Sequence, residues 1–245
     1  MTDFFARDYT GGAFILFSSA HLGALAAVLV VNLALLFLRG PGKEKPRLWF
    51  RYGLAIILIV NELAWHIWNL AVGTWTVQTM LPLHLCSVFV YGSAIMLVRR
   101  DVRIYEFAYL IGIAGAIQPL FTPDLGVYGF PHFRYWQTYI SHGGIVTAAV
   151  YMTIVEGYRP YWRSLGKVII WMNVYMVFVG IVNALLGSNY LFIAHKPETA
   201  SLLDALGPWP FYLLAIEGIG LVFFLLLYLP FAIGDLRRTR KLNPA

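Results

Sequence analysis

Long apolar runs of about 20 residues, the length that carries a helix across a bilayer, recur along this chain and limit what it can become. They lie near 14–38, 49–72, 80–98, 104–121, 136–156, 165–186 and 211–234. The third and fourth are separated only by Arg99, Arg100, Asp101, Val102 and Arg103; a charged hairpin of that kind cannot lie in hydrocarbon, so they count as two spans. The chain therefore reads as all-α, a polytopic membrane protein with seven transmembrane helices in one domain over residues 1–245. Composition agrees, with 60% hydrophobic and only 12% charged residues and a mean hydropathy of +0.70. The N-terminal stretch lacks the basic region of a secretory signal, and the run that follows is expected to remain as the first span.

Basic residues set the expected orientation. Fifteen of the eighteen Lys and Arg follow spans one, three, five and seven, leaving Arg7, Arg134 and Lys196 for the other side. The positive-inside rule then places the N-terminus outside and the C-terminus in the cytoplasm, in the plasma (inner) membrane. Topology and anionic lipid headgroups account for the net charge of +6, so no nucleic-acid partner is needed. The expected cytoplasmic loops are short. The outer connections 122–135 and 187–210 are long, which suits lids over a cavity, and their aromatic residues also suit an interfacial belt.

With this orientation nearly all the intramembrane polar residues gather in the outer half of the thickness, Asn32 and Asn173 lying deeper toward the cytoplasm. His21 lies in the outer half of span one; Asn61 and Glu62 lie near mid-depth in span two, with His66 and Asn69 above them. His84 and Cys86 open span three at the outer surface, with Pro82 as its first residue, and Gln118 closes span four there. His142 falls about two turns into span five, Asn183 near the outer end of span six and Glu217 about two turns into span seven. Ionisable groups in hydrocarbon normally face a bundle interior or a wet cavity, so an outward-opening polar cavity is expected. In span two, Asn61, Glu62, Trp65, His66 and Asn69 share an arc of about 140°. Glu62 and His66 are an i, i+4 pair that either stabilises the bundle or handles protons.

Cys86 is the only cysteine, which excludes an intramolecular disulfide. It is either a small buried hydrophobe or a nucleophile. On a helix, His84 would point about 200° away from Cys86, so an activating imidazole must come from another helix. His142, followed by Gly143 and Gly144, lies at a similar depth; His66 and His21 are the other options.

The blocks LPLHLC (81–86), FTPD (121–124), FPHFRYWQ (130–137), SHGG (141–144), NYLFIAHKP (189–197) and SLLDALGPWP (201–210) resemble the bacterial YwaF-like integral membrane proteins. That family is related to eukaryotic transmembrane protein 164. The resemblance implies a lipid acyltransferase or acyl hydrolase acting on phospholipid or lysophospholipid esters, with membrane phospholipids as partners. It carries the nucleophile to Cys86 and the base to His142, with no cofactor. In that chemistry Asn183, Asn189 or Gln118 would donate to an oxyanion, and Tyr190 and Lys196 would line the substrate site, Lys196 against a phosphate. Two other readings stay open. One is an outward-open binding protein or transporter using Glu62, His66 and Glu217; the other is a metal-dependent hydrolase with Glu62, His66, His84 and His142 as ligands.

Overall fold

A computed structural model of the chain describes residues 3–197 and 202–242. Residues 198–201 of the second long connection lie outside the described residues, as do the side chains of Leu202, Thr239, Arg240, Lys241 and Leu242. Among the described residues all regular structure is helical. The elements are α1 (Ser19–Ala34), α2 (Glu44–Ala71), α3 (Leu85–Arg99), α4 (Val102–Phe107), α5 (Ile113–Phe121), α6 (Phe133–Ile154), α7 (Trp162–Leu186) and α8 (Phe211–Leu242). A π-helical turn, Ala108–Gly112, joins α4 to α5 as one rod.

Five segments are long and apolar enough to cross a membrane: Ser19–Leu38, Glu44–Ala71, Val102–Phe121, Trp162–Leu186 and Phe211–Arg238. The two remaining expected spans differ for separate physical reasons. Helix α6 has ample length, but Arg134, Gln137, Ser141 and His142 dilute its hydropathy. It can carry them because it is the central helix, packed against α1, α2, α3 and α5 with most of its residues buried. Helix α3 has only 15 residues, about 22 Å of rise against about 30 Å of hydrocarbon.

The short α3 follows from where it starts. Residues 72–84 leave the end of α2 and descend as irregular chain into the bundle before the helix begins. Gln78 donates to the carbonyl of Leu186 at the end of α7, whereas the carbonyl of Leu83 accepts from Tyr175, eleven residues further down that helix, or about 16 Å. The reading of Pro82 as the first residue of the helix is thereby corrected: Leu85 is the first helical residue and His84 is its N-cap. Irregular backbone at such a depth must be satisfied by protein. Tyr190 hydroxyl accepts from Leu81 N–H and donates to Val77 carbonyl, and Tyr175 holds Leu83. Span one is also shorter than expected, starting at Ser18, whose hydroxyl caps α1 by accepting from His21 N–H.

Close packing around α6 uses its paired glycines. A Cβ on Gly143 would meet Val28 of α1 at 2.8 Å, and one on Gly144 would meet Leu58 of α2 at 2.7 Å. The glycines anticipated to admit a neighbouring helix or a ligand admit two helices. At the other end of the bundle, Arg100 takes a left-handed conformation and Asp101 caps α4 through Arg103 and Ile104 N–H, which turns the chain between α3 and α4 within two residues.

Candidate functional site: a cysteine and histidine at a buried helix start

Cys86 is the second residue of α3 and partly buried. Its Sγ lies 3.1 Å from Nε2 of His142 on α6, as helix α3 starting deep brings it level with the third turn of α6. His142 Nδ1 is 2.7 Å from the carbonyl of Thr138, one helical turn earlier. A carbonyl only accepts, so Nδ1 carries the ring hydrogen and Nε2 presents its lone pair to the thiol. The ring is thus oriented by backbone and poised to take a proton from sulfur. The first N–H groups of any α-helix lack intrahelical acceptors, and at α3 those are the N–H groups of Leu85, Cys86 and Ser87, the turn that carries the sulfur.

Beside this pair, α2 and α6 share a polar seam. Asn61 donates to Ser141 Oγ and to the Gln137 carbonyl, and Gln137 donates to Ser141 and accepts from Arg134. The Arg134 guanidinium stacks over the Trp65 ring at 3.9 Å. Glu62 is only 3% exposed, and its carboxylate is near enough to act electrostatically on Cys86. Its Oε1 has no hydrogen-bond partner; His66 Nε2 stands 3.9 Å away, beyond hydrogen-bonding distance. Trp75 donates to His66 Nδ1, which leaves the hydrogen on Nε2, facing the carboxylate.

Several sequence-predicted residues are engaged elsewhere. His21 accepts from Phe17 N–H and contacts the Leu120 carbonyl, so it is committed to the α1–α5 packing and not to Cys86. His84 caps α3 and its Nδ1 accepts from Leu191 N–H, with its ring against Tyr190 and Phe192. It holds the N-cap position of α3 as non-helical backbone, with no side-chain cap hydrogen bond, and its ring is tied to that loop. Asn183 is engaged in its own loop: its amide donates to the Tyr190 carbonyl while its oxygen accepts from Tyr190 N–H and Ser188. Asn189 is used by His195 and Ala194, and Gln118 turns back onto Thr122. Lys196 reaches the Asp204 carbonyl and the Tyr212 ring. Glu217 is on an exposed face of α8, not in the seam. Among the described residues no group of three or more His, Cys, Asp or Glu is placed to hold a metal ion, so Glu62, His66, His84 and His142 do not assemble as ligands.

Hydrogen bonds close the α2–α6 contact at Asn61, and a groove lies beside the start of α3. That groove, of ≈260 Å³, is lined by Gln78, Thr79, His84, Ser188, Asn189 and Phe192, between the descending segment and the loop after α7. The other long connection, residues 122–135, is bound to the N-terminal segment. Phe14 N–H donates to Gly126, Gly129 N–H to Gly12, and Tyr128 hydroxyl to Arg7, all at carbonyls. Backbone of Gly12 and Ala13 leaves no room for a Cβ at Gly129.

Thr138, Tyr175 and Trp75, which orient the ring, the α3 start and His66, escape sequence reasoning. Thr138 acts through a backbone carbonyl that every residue possesses, and the two aromatics read as membrane-belt or core residues. No curated protein and no solved structure matches the chain. Comparison with known families, however, matches residues 16–228 to the TMEM164 family. That match covers all five long apolar helices except the last turns of α8, together with the Cys86–His142 site. The chain is thus a multi-pass membrane protein, and it belongs to the TMEM164 family.

Proposed function

We propose that this protein is an intramembrane acyltransferase or acyl hydrolase acting on phospholipid or lysophospholipid esters, with Cys86 as nucleophile and His142 as general base. The observation that carries the reading is the 3.1 Å approach of Cys86 Sγ to a His142 Nε2 whose tautomer Thr138 sets. His142 takes the thiol proton as sulfur attacks the ester carbonyl carbon. The resulting oxyanion is held by the N–H groups of the first turn of α3, whose helix dipole also favours negative charge there, rather than by Asn or Gln side chains. Collapse breaks the ester C–O bond, and the departing lysolipid oxygen takes the proton from His142. An acceptor hydroxyl, of a lysolipid or of water, then gives His142 its proton and attacks the thioester. Sulfur leaves and recovers its hydrogen.

The same reading takes seven membrane crossings with the N-terminus outside and the C-terminus cytoplasmic. Five are the long apolar helices. Helix α6 crosses inside the bundle, and α3 completes its crossing through the irregular residues 72–84. The site then opens toward the outer half of the plasma membrane.

The test uses purified protein with a fluorophosphonate or thiol-reactive lipid probe, and mass spectrometry of the Cys86 peptide. Wild type labels at Cys86. Cys86→Ala loses the label, and His142→Asn slows it by about 100-fold, the lower range for loss of a general base. Unchanged labelling in His142→Asn, with the variant folded, would overturn the assignment.

A further inference from the structure

At the opposite end of the bundle from Cys86, an open groove of ≈520 Å³ lies between α4, the start of α7 and α8, lined by Glu106, Tyr161, Trp162, Arg163, Lys167 and Tyr228. Its walls are aromatic, with Trp162 against Tyr228 at 5.8 Å. Trp162 and Tyr161 remain well exposed. Its rim is cationic: Arg163 and Lys167 are i, i+4 neighbours on one face of α7. The one acidic lining residue, Glu106, is buried and already answered, accepting from Ser164 Oγ at 2.6 Å and from Lys167 Nζ at 3.2 Å. That contact anchors the lysine at the groove wall while leaving its ammonium two further donors. The remaining nearby cation, Arg159, is tied to Asp235 by two hydrogen bonds.

We infer that this groove is a binding site for the headgroup of an anionic membrane phospholipid, independent of the acyl-transfer chemistry. The phosphate sits between Arg163 and Lys167, and the glycerol and upper acyl chains lie on Trp162 and Tyr228. Aromatic walls at the end of membrane-length helices suit a lipid at the interface and give a soluble phosphate little to bind. A cationic rim favours phosphatidylglycerol, whose headgroup is neutral beyond the phosphate, over phosphatidylcholine, whose choline would approach two cations.

The experiment is native mass spectrometry of the full-length protein in detergent, titrated with phosphatidylglycerol, phosphatidylcholine or glycerol phosphate. Wild type retains phosphatidylglycerol in preference to phosphatidylcholine. Arg163→Ala with Lys167→Ala weakens phosphatidylglycerol binding by about tenfold, in keeping with removal of two near-surface cations. The control Lys43→Ala with Lys45→Ala, exposed residues at the same end with the same charge loss, leaves it unchanged. Unfolding temperatures check that each variant is folded, and Arg163→Gln alone, expected to lose about threefold, replaces the double variant if that one is unstable. Equal losses in the groove and control variants, equal retention of the two lipids, or displacement of phosphatidylglycerol by equimolar glycerol phosphate would each overturn the inference.

Discussion

Asn183 and His132 show how single polar residues divide between chemistry and construction. Asn183 spends every hydrogen-bonding group on Ser188 and Tyr190, and Tyr190 in turn holds Leu81 and Val77. Asn183→Ala leaves several buried groups unpaired and is expected to cost about 2–4 kcal/mol in unfolding free energy. Labelling of Cys86 per folded molecule should change little; a large loss of labelling at full stability would return Asn183 to the oxyanion role. His132 caps α6 by accepting from Arg134 N–H, and its Nε2–H donates to Ala6. Burial pushes its pKa below the ordinary 6.5. The unfolded chain therefore binds the extra proton first, and the stability His132 contributes is present above pH 6.5 and lost as pH falls below it. Hydrogen exchange of residues 3–14 should accelerate on acidification below that point, and His132→Gln should flatten the dependence. Cys86 as the candidate nucleophile, and the need for an imidazole from another helix, were legible in the sequence. The residues alone left His21, His66 and His142 open and the family resemblance pointed to His142; it is packing that brings His142 to the sulfur.

At the scale of elements, the α1–α6–α2 contact rests on two adjacent hydrogens. Gly144→Val would drive methyl groups into Leu58, and Gly143→Val into Val28. Each should lower stability by about 1–3 kcal/mol or more, the range for overpacking a close-packed core. Gly144→Val should also slow Cys86 labelling, since it lies two residues from His142 on α6. Gly115→Ala on α5, where a Cβ meets nothing, is the control and should be neutral in the same unfolding measurement. Helix existence was readable from hydropathy, but the start of α3 was not. Pro82 offers a plausible helix start, and what displaces it to Leu85 is the pair of distant tyrosines, Tyr175 and Tyr190, which satisfy extended backbone that a helix would otherwise have to satisfy itself.

For the whole molecule, the seven-crossing topology predicts a labelling pattern. In a Cys86→Ala background, Thr76→Cys and Val127→Cys should react with a membrane-impermeant maleimide on intact cells. Lys43→Cys, Asp101→Cys and Gly157→Cys should react only after permeabilisation. The inverse pattern would reverse the orientation, and a mixed one would change the number of crossings. The sequence alone determined that the chain is helical and membrane-embedded, because apolar runs of this length have few other solutions in lipid. It also showed that most of its spans carry polar residues. Only the tertiary structure decided what those residues do there. Hydrogen-bond capacity is consumed by whichever partner arrives, and arrival depends on packing between segments far apart in the chain. Glu217, expected at the depth of the seam residues, is exposed on α8; Arg134, expected in an outer loop, stacks on Trp65. Cys86, expected at the surface, is carried down by residues 72–84 to meet His142.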